Sequence, residues 1–242
     1  MHYCQCKGGN KTIPVLSAED ITKDYGKEKV LKGITLTLYK ETFTAILGPS
    51  GCGKSTLLQI LSGMTKPTGG LVRYENIIVT NLSPTQLADW KRAAIGNVFQ
   101  NYLLLNNLTA EENIKTGICP NTTPLTFESL VHMLELDGFL DKFPAQLSGG
   151  QQQRVAIARA VIKGARLLFC DEATGALDEE NSKKVVRLLH HLKTTFGVTI
   201  LFATHNKEIA RTANRILIMK DGMFLNDIEN ENPISADDMV WG

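Results

Sequence analysis

Gly48, Gly53, Lys54 and Ser55 stand in the run Ile46-Leu47-Gly48-Pro49-Ser50-Gly51-Cys52-Gly53-Lys54-Ser55-Thr56-Leu57. Four spacer residues between Gly48 and Gly53-Lys54-Ser55 match the pattern of a loop that wraps phosphate groups. The glycines Gly48, Gly51 and Gly53 let the backbone turn back with its N–H groups inward, and they put no Cβ in the way of phosphate oxygens. Pro49, Ser50 and Cys52 fill the spacer and Thr56 continues into the next element, so Gly48 to Thr56 is expected to line a nucleoside triphosphate such as ATP. Lys54 is placed to reach the β- and γ-phosphates, and the Ser55 hydroxyl to ligate Mg²⁺. An ordinary glycine-rich turn is the competing reading, and the spacing and flanks together argue against it.

Phosphoryl transfer also needs a held metal, a positioned water and compensation for charge on the γ-phosphate. Leu167-Leu168-Phe169-Cys170-Asp171-Glu172 supplies candidates. A strand ending in Asp171 carries that carboxylate to the edge of a sheet where ligands bind, to hold Mg²⁺ directly or through water. Glu172, one residue on, is placed to polarise the attacking water as general base. His205 follows a second apolar run, Phe202-Ala203-Thr204, and is read as a hydrogen-bond partner of the γ-phosphate and the water. His2, His132, His190 and His191 are read as structural.

The elements that must position these groups are legible as apolar runs. Phe43 to Leu47 reads as a strand feeding the loop, and Thr56 to Leu61 as the helix after it, whose dipole attracts the anion. Val30-Leu31, the alternating Ile34 to Leu38, Leu71 to Tyr74 and Ile77 to Val79 make a β-rich start. Between about Asn101 and Ala165 the texture is helical, with Gln151 to Lys163 the longest segment. Leu167 to Cys170, Val198 to Ala203 and Ile216 to Met219 suit central strands buried on both faces of a parallel sheet, and Ser182 to Lys193 reads as an interleaved helix. The expectation is one α/β domain over 17–242 with an inserted helical subdomain at about 101–165, preceded by a polar extension over 1–16.

Composition narrows the function classes. A net charge of +1 argues against bulk nucleic-acid binding. No apolar run approaches the roughly 20 residues that span a bilayer, and Met1 to Lys7 lacks the apolar core of a secretory signal. A cytoplasmic chain is expected, with any membrane role exerted through a partner. Cys4, Cys6, Cys52, Cys119 and Cys170 are an odd number without metal-ligand spacing, so reduced thiols are expected. Cys52 is set apart by the positive potential of its loop, where it is expected to be open to modification that blocks the nucleotide.

Leu147-Ser148-Gly149-Gly150-Gln151-Gln152-Gln153-Arg154 opens the long helix with a serine cap and two glycines, which makes a second anion site. In this order and spacing, the phosphate loop, this Leu-Ser-Gly-Gly-Gln run and Asp171-Glu172 resemble ABC transporter ATPases over about Ser17 to Asp221. The resemblance implies a P-loop NTPase core of mainly parallel sheet with an antiparallel β subdomain and a helical insertion. It further implies that Tyr25 stacks on adenine, that Gln100 contacts Mg²⁺ and the water and senses a permease, and that Gly175 to Asp178 couples two sites. Two such chains sandwich two ATP molecules, each held between one chain's phosphate loop and the other's Ser148, Gly149, Gly150 and Gln151. A second copy or a homologous ATPase is therefore an expected partner. Ala173 and Asn206 replace the proline and aspartate common in the family, and neither removes a group the chemistry needs.

The stretches Leu147 to Arg154, Thr174 to Asp178 and Phe99 to Ile114 look like the branch of macrolide-export, lipoprotein-release, antimicrobial-peptide-resistance and cell-division ATPases. The implied partner is a permease with few spans and a large extracytoplasmic domain, which puts the chain on the cytoplasmic face of the membrane. A regulator of a membrane complex without transport, as in cell division, is the alternative. A soluble protein acting on ribosomes or DNA fits poorly with a single cassette and no basic excess. Asn206-Lys207-Glu208 lacks the aspartate of a guanine-specific motif. Leu103 to Leu105 is expected to be core, or else a groove for a permease helix. The stretch from Asp221 onward reads as an acidic tail after the last strand.

Overall fold

The computed structural model describes residues 13–120 and 122–240. β1 (Pro14–Tyr25) and β2 (Glu28–Tyr39) form a long hairpin, and β3 (Phe43–Leu47) runs into α1 (Lys54–Leu61). β4 (Gly69–Tyr74) and the short β5 (Ile77–Ile78) follow, then α2 (Pro84–Ala94) and β6 (Ile95–Phe99). Three helices come next without an intervening strand: α3 (Ala110–Lys115), α4 (Phe127–Met133) and α5 (Gly149–Val161). The chain then alternates through β7 (Leu167–Asp171), α6 (Glu179–Phe196), β8 (Thr199–Thr204), α7 (Lys207–Arg211) and β9 (Arg215–Lys220), ending its strands with β10 (Met223–Glu229).

Two sheets result. One is antiparallel in the order β2-β1-β4-β5, and the other runs β10-β9-β3-β8-β7-β6. In the larger sheet β9, β3, β8, β7 and β6 are parallel and β10 alone is antiparallel. This is the expected α/β arrangement, with the antiparallel sheet beside a mainly parallel one. Alternation along the strands explains the layering. Leu168, Cys170, Ile200 and Phe202 point into one core with α5 and α6, while Leu167, Phe169, Leu201 and Ala203 point into a second with α1 and the antiparallel sheet. Apolar runs buried on both faces follow from that position.

Register then aligns the ends. Leu47 pairs with Thr204, Ala203 with Asp171, and Asp171 with Phe99. The next residue of each strand, Gly48, His205, Glu172 and Gln100, therefore leaves the sheet along one carboxyl edge.

Some elements depart from the sequence reading. Of the expected extension, residues 1–12 lie outside the described residues, Cys4 and Cys6 with them, and Pro14 to Leu16 are already strand. α2 has a complete capping box, Ser83 with Gln86, and Pro84 in its first turn, yet its apolar face is too thin to stand out. The stretch after Asp221 is not a bare tail. Asp221 and Gly222 both have positive φ and close a two-residue turn between Lys220 and Met223, the geometry of a type I′ hairpin. β10 thus becomes the sheet's edge, and further on Ala236 and Met239 are buried in the α5–α6 core.

Candidate active site

The phosphate loop joins β3 to α1, and its shape depends on two glycines. Gly53 sits at φ +106° as the residue before α1, a conformation that L side chains rarely adopt. Gly48 passes so close to β9 that a Cβ there would overlap the Met219 carbonyl oxygen and lie 2.8 Å from Cys52 Sγ. Lys54 is buried, and its Nζ donates to the carbonyls of Gly48 and Pro49 at 2.9 Å each. The same ammonium lies 3.6 Å from Glu172 Oε1. Cys52 is only 6% exposed, tucked under the loop. The expectation that it is open to modification is therefore corrected: its place in the packing shields it.

Ser55 Oγ donates to Asp171 Oδ1 at 2.9 Å, which ties α1 to the end of β7. Burial pushes the Asp171 carboxyl above the usual carboxylate range, against the Ser55 hydrogen bond, which lowers it; Glu172 raises it and Lys54 lowers it. Glu172 adopts φ +46°, uncommon for a residue with a Cβ. Its N–H donates to the Ala203 carbonyl at 3.0 Å, and its own carbonyl accepts from Gly175 at 2.9 Å. Those bonds hold the turn and aim the side chain between two cations or potential cations. Oε1 faces Lys54 and Oε2 lies 3.5 Å from His205 Nδ1.

A cavity of about 780 Å³ opens over this edge, walled by Ser50, Lys54, Ser55, Thr56, Gln100, Asp171 and Glu172. His205 reaches it only through Glu172. Tyr25 stands outside the wall, half-exposed at the end of β1, with Lys23 Nζ 4.9 Å from its ring centre; Val30 lines the wall instead. Ser148, Gly149, Gly150 and Gln151 are also outside it. They cap α5: Ser148 Oγ accepts from the Gln151 N–H at 3.3 Å, and Gln151 Oε1 from the Ser148 N–H at 2.8 Å. Both glycines are packed tightly, since a Cβ on Gly149 would lie 2.9 Å from the Tyr102 hydroxyl and one on Gly150 2.5 Å from Asn181 Oδ1.

Tyr102 is a wall residue that the sequence reading did not single out. Tyr102 and Leu103 both have positive φ. Arg159 on α5 donates to the Tyr102 carbonyl at 2.9 Å and the Leu103 carbonyl at 2.7 Å. Asn113, fully buried on α3, accepts from Leu105 N–H at 2.8 Å while its amide reaches the carbonyls of Leu105, Leu108 and Thr109 at 3.0 Å. Held this way, the loop turns Leu103 (51% exposed) and Leu105 (47%) outward, and only Leu104 packs against the core. The core reading of this triplet is corrected accordingly.

Residues 31–175 match the profile of the family described as ABC transporter. The chain belongs to that family. Over 229 residues it is 42% identical to the macrolide export ATP-binding/permease protein MacB of Marinobacter nauticus, covering 91% of this chain and 35% of that one. Over 218 residues it is 40% identical to MacB of Escherichia coli K12, covering 86% and 34% respectively. The chain thus spans about a third of the length of the curated relatives it matches. Among solved structures, the dimeric bacterial ABC transporter cassette MJ0796 superposes with a TM-score of 0.81 at 36% identity, covering 90% of this chain and 99% of that one. A post-hydrolysis dimer of MJ0796 bound to ADP and Pi gives 0.80 at 35% identity, with the same coverage. The chain is an ATP-binding and ATP-hydrolysing cassette.

The cassette's donor set suits a hard divalent cation that arrives with the nucleotide. Ser55 and Asp171 offer a hydroxyl and a carboxylate already 2.9 Å apart, and Mg²⁺ prefers oxygen ligands of this kind completed by phosphate and water. Among the described residues no group of three or more acidic, histidine or cysteine side chains is arranged to hold a metal. Phosphate oxygens would have to supply the remaining positions.

Proposed function

We propose that this cassette pairs with a second copy, or with a homologous ATPase, around two ATP molecules, and that the cycle drives a membrane permease. The observation that carries this reading is the separation of the two anion sites. The cavity with Lys54 and Glu172 has no residue of Ser148 to Gln151 in its wall. A nucleotide in that cavity leaves one side for another chain's capped α5 N-terminus, where N–H groups and helix dipole favour phosphate. Tyr25 would stack on the adenine from outside the wall.

In the mechanism that follows, the triphosphate takes over the Lys54 ammonium from the Gly48 and Pro49 carbonyls. Ser55 and Asp171 would hold Mg²⁺, with Gln100 beside them. When bound, that ion neutralises phosphate charge as a Lewis acid. Glu172 takes the proton of the attacking water as the water oxygen bonds to the γ-phosphorus. The bond from that phosphorus to the bridging oxygen breaks, leaving ADP and inorganic phosphate. His205, against Glu172 Oε2, keeps the carboxylate turned toward the water and hydrogen-bonds the γ-phosphate.

The likeness to two macrolide export ATP-binding/permease proteins supports coupling to a permease in export. The resemblance of Leu147 to Arg154, Thr174 to Asp178 and Phe99 to Ile114 extends this reading to few spans, a large extracytoplasmic domain, and export or force coupling for a macrolide, lipoprotein or antimicrobial peptide. Among the described residues no helix is long and apolar enough to cross a membrane, and the cassette is placed at the cytoplasmic face through that partner. Nucleic acid has no part in this reading. Sedimentation of Glu172→Gln with ATP and Mg²⁺ tests the pairing: a dimer is expected, reverting to monomer in Glu172→Gln/Ser148→Arg. A monomer at saturating ATP, or a dimer indifferent to Ser148→Arg, refutes it. Affinity capture of Glu172→Gln from native membranes tests the coupling, and recovery of soluble partners alone sinks the permease.

A further inference from the structure

At the opposite end of the large sheet lies a second cleft, of about 1030 Å³, larger than the nucleotide cavity. It sits where β6 and β7 begin. Arg166 N–H donates to the Ala94 carbonyl at 3.1 Å, and the Thr199 N–H to the Arg166 carbonyl at 2.9 Å, so the backbone of three neighbouring strands frames its floor. Tyr74, Trp90, Leu125 and Phe196 supply an apolar wall. Tyr74 and Trp90 meet edge to face with ring centres 5.8 Å apart. Trp90 is 7% exposed, and its indole N–H is buried without a hydrogen-bond acceptor among the described residues.

Two cations share this wall. Arg166 makes no side-chain hydrogen bond or ion pair among the described residues, although its charge reaches the Tyr74 hydroxyl. Lys163 donates only to the Lys91 carbonyl, at 3.2 Å. Burial, with a contribution from Arg92, holds its ammonium below the usual lysine range. Two carboxylates also border the cleft. Asp89 is neutralised by Arg92 at 2.8 Å, and Glu41 lies exposed at the mouth. An uncompensated guanidinium beside an aromatic wall matches the chemistry of a planar anion.

We propose that this cleft is a second ligand site, for an aromatic organic anion whose acidic group pairs with Arg166 and Lys163 and whose ring packs on Trp90 and Phe196. The volume is at the upper end of what drug-sized ligands occupy. Because the cleft and the phosphate loop lie at opposite edges of one sheet and share no lining residue, both can be occupied at once.

Trp90 is the reporter, since the sequence holds only one other tryptophan, Trp241. In the 242-residue chain carrying Trp241→Phe, the probe 8-anilinonaphthalene-1-sulfonate is expected to quench Trp90 emission saturably, one molecule per chain, with the same affinity in saturating ATP. Arg166→Glu, an exposed change that leaves ATP binding intact, is expected to weaken the probe about tenfold or more, as loss of a charge-assisted contact does. The uncharged analogue N-phenyl-1-naphthylamine is expected to bind about tenfold more weakly than the sulfonate. Unsaturable quenching, displacement by ATP, or equal affinity in Arg166→Glu overturns the site.

Discussion

His190 gives the cassette an acid-sensitive core, and the size of the effect can be worked from its surroundings. Its ring stacks on Phe43 at 4.6 Å with planes 11° apart, and Nε2 lies 3.1 Å from Thr212 Oγ1. Burial, aided by the charges of Lys193 and His191, lowers its pKa from 6.5 to about 4. The folded state therefore resists a proton that the unfolded chain accepts. Above pH 6.5 the ring is neutral in both states and its contribution is intact; it is lost as pH falls from about 6.5 toward 4. With those two values, linkage gives a loss of about 2 kcal/mol between pH 7 and pH 5, an upper figure because the ring is not wholly enclosed. His190→Leu removes the titration and keeps an apolar body against Phe43. Thr212 Oγ1 still donates to the Ile209 carbonyl at 2.9 Å, so no hydroxyl is stranded. Urea unfolding of both proteins at pH 7 and pH 5 isolates the effect, since the two differ only at this ring. The natural chain should lose about 2 kcal/mol more than the variant over that interval. Equal losses in the two proteins would refute the assignment.

Other perturbations probe the site more directly. Lys54→Ala should cost ATP affinity a hundredfold or more, since about two charge-assisted bonds to phosphate disappear; calorimetry showing near-normal binding would contradict the loop assignment. Gly48→Ala drives a Cβ into Met219 and Cys52, so it should destabilise the fold by roughly 2 kcal/mol or more and abolish nucleotide binding. An unchanged denaturation midpoint would show that β9 can yield. Asn113→Ala strips the bonds on the Leu105 to Thr109 loop. A loss of about 2–3 kcal/mol is expected, with hydrogen exchange at Leu105 accelerated more than in the central strands.

The legible parts of the fold are those where composition and position coincide. β3, β7 and β8 are buried on both faces, so their apolar runs announced them, and each ends next to a residue whose chemistry was readable: Gly48, Glu172 and His205 respectively. β6 was hidden because Ile95-Gly96-Asn97-Val98-Phe99 breaks its run with glycine and asparagine. Gly96 is required there, since a Cβ would meet the Ala160 carbonyl oxygen at 2.8 Å. β10 was hidden by acidic residues that belong on an exposed sheet edge, although the Asp221-Gly222 pair was an available hairpin signal. In the site, side-chain identity located the loop and the carboxylates. The Leu103–Leu105 orientation was not readable, because it is set by Arg159, 56 residues from Leu103, together with Asn113, both ordinary in type. Cys52 shows the same limit: its neighbours in the chain suggested accessibility, and its neighbours in space bury it.

The contacts of Lys54 with its own loop also fix when entropy is lost. A free lysine side chain surrenders about 2 kcal/mol of rotamer freedom when it is immobilised. Here that loss falls at folding, because the ammonium is already fastened to Gly48 and Pro49. An arriving triphosphate meets a cation that is in place and swaps one set of oxygen partners for another. Binding then carries little ordering penalty at this side chain.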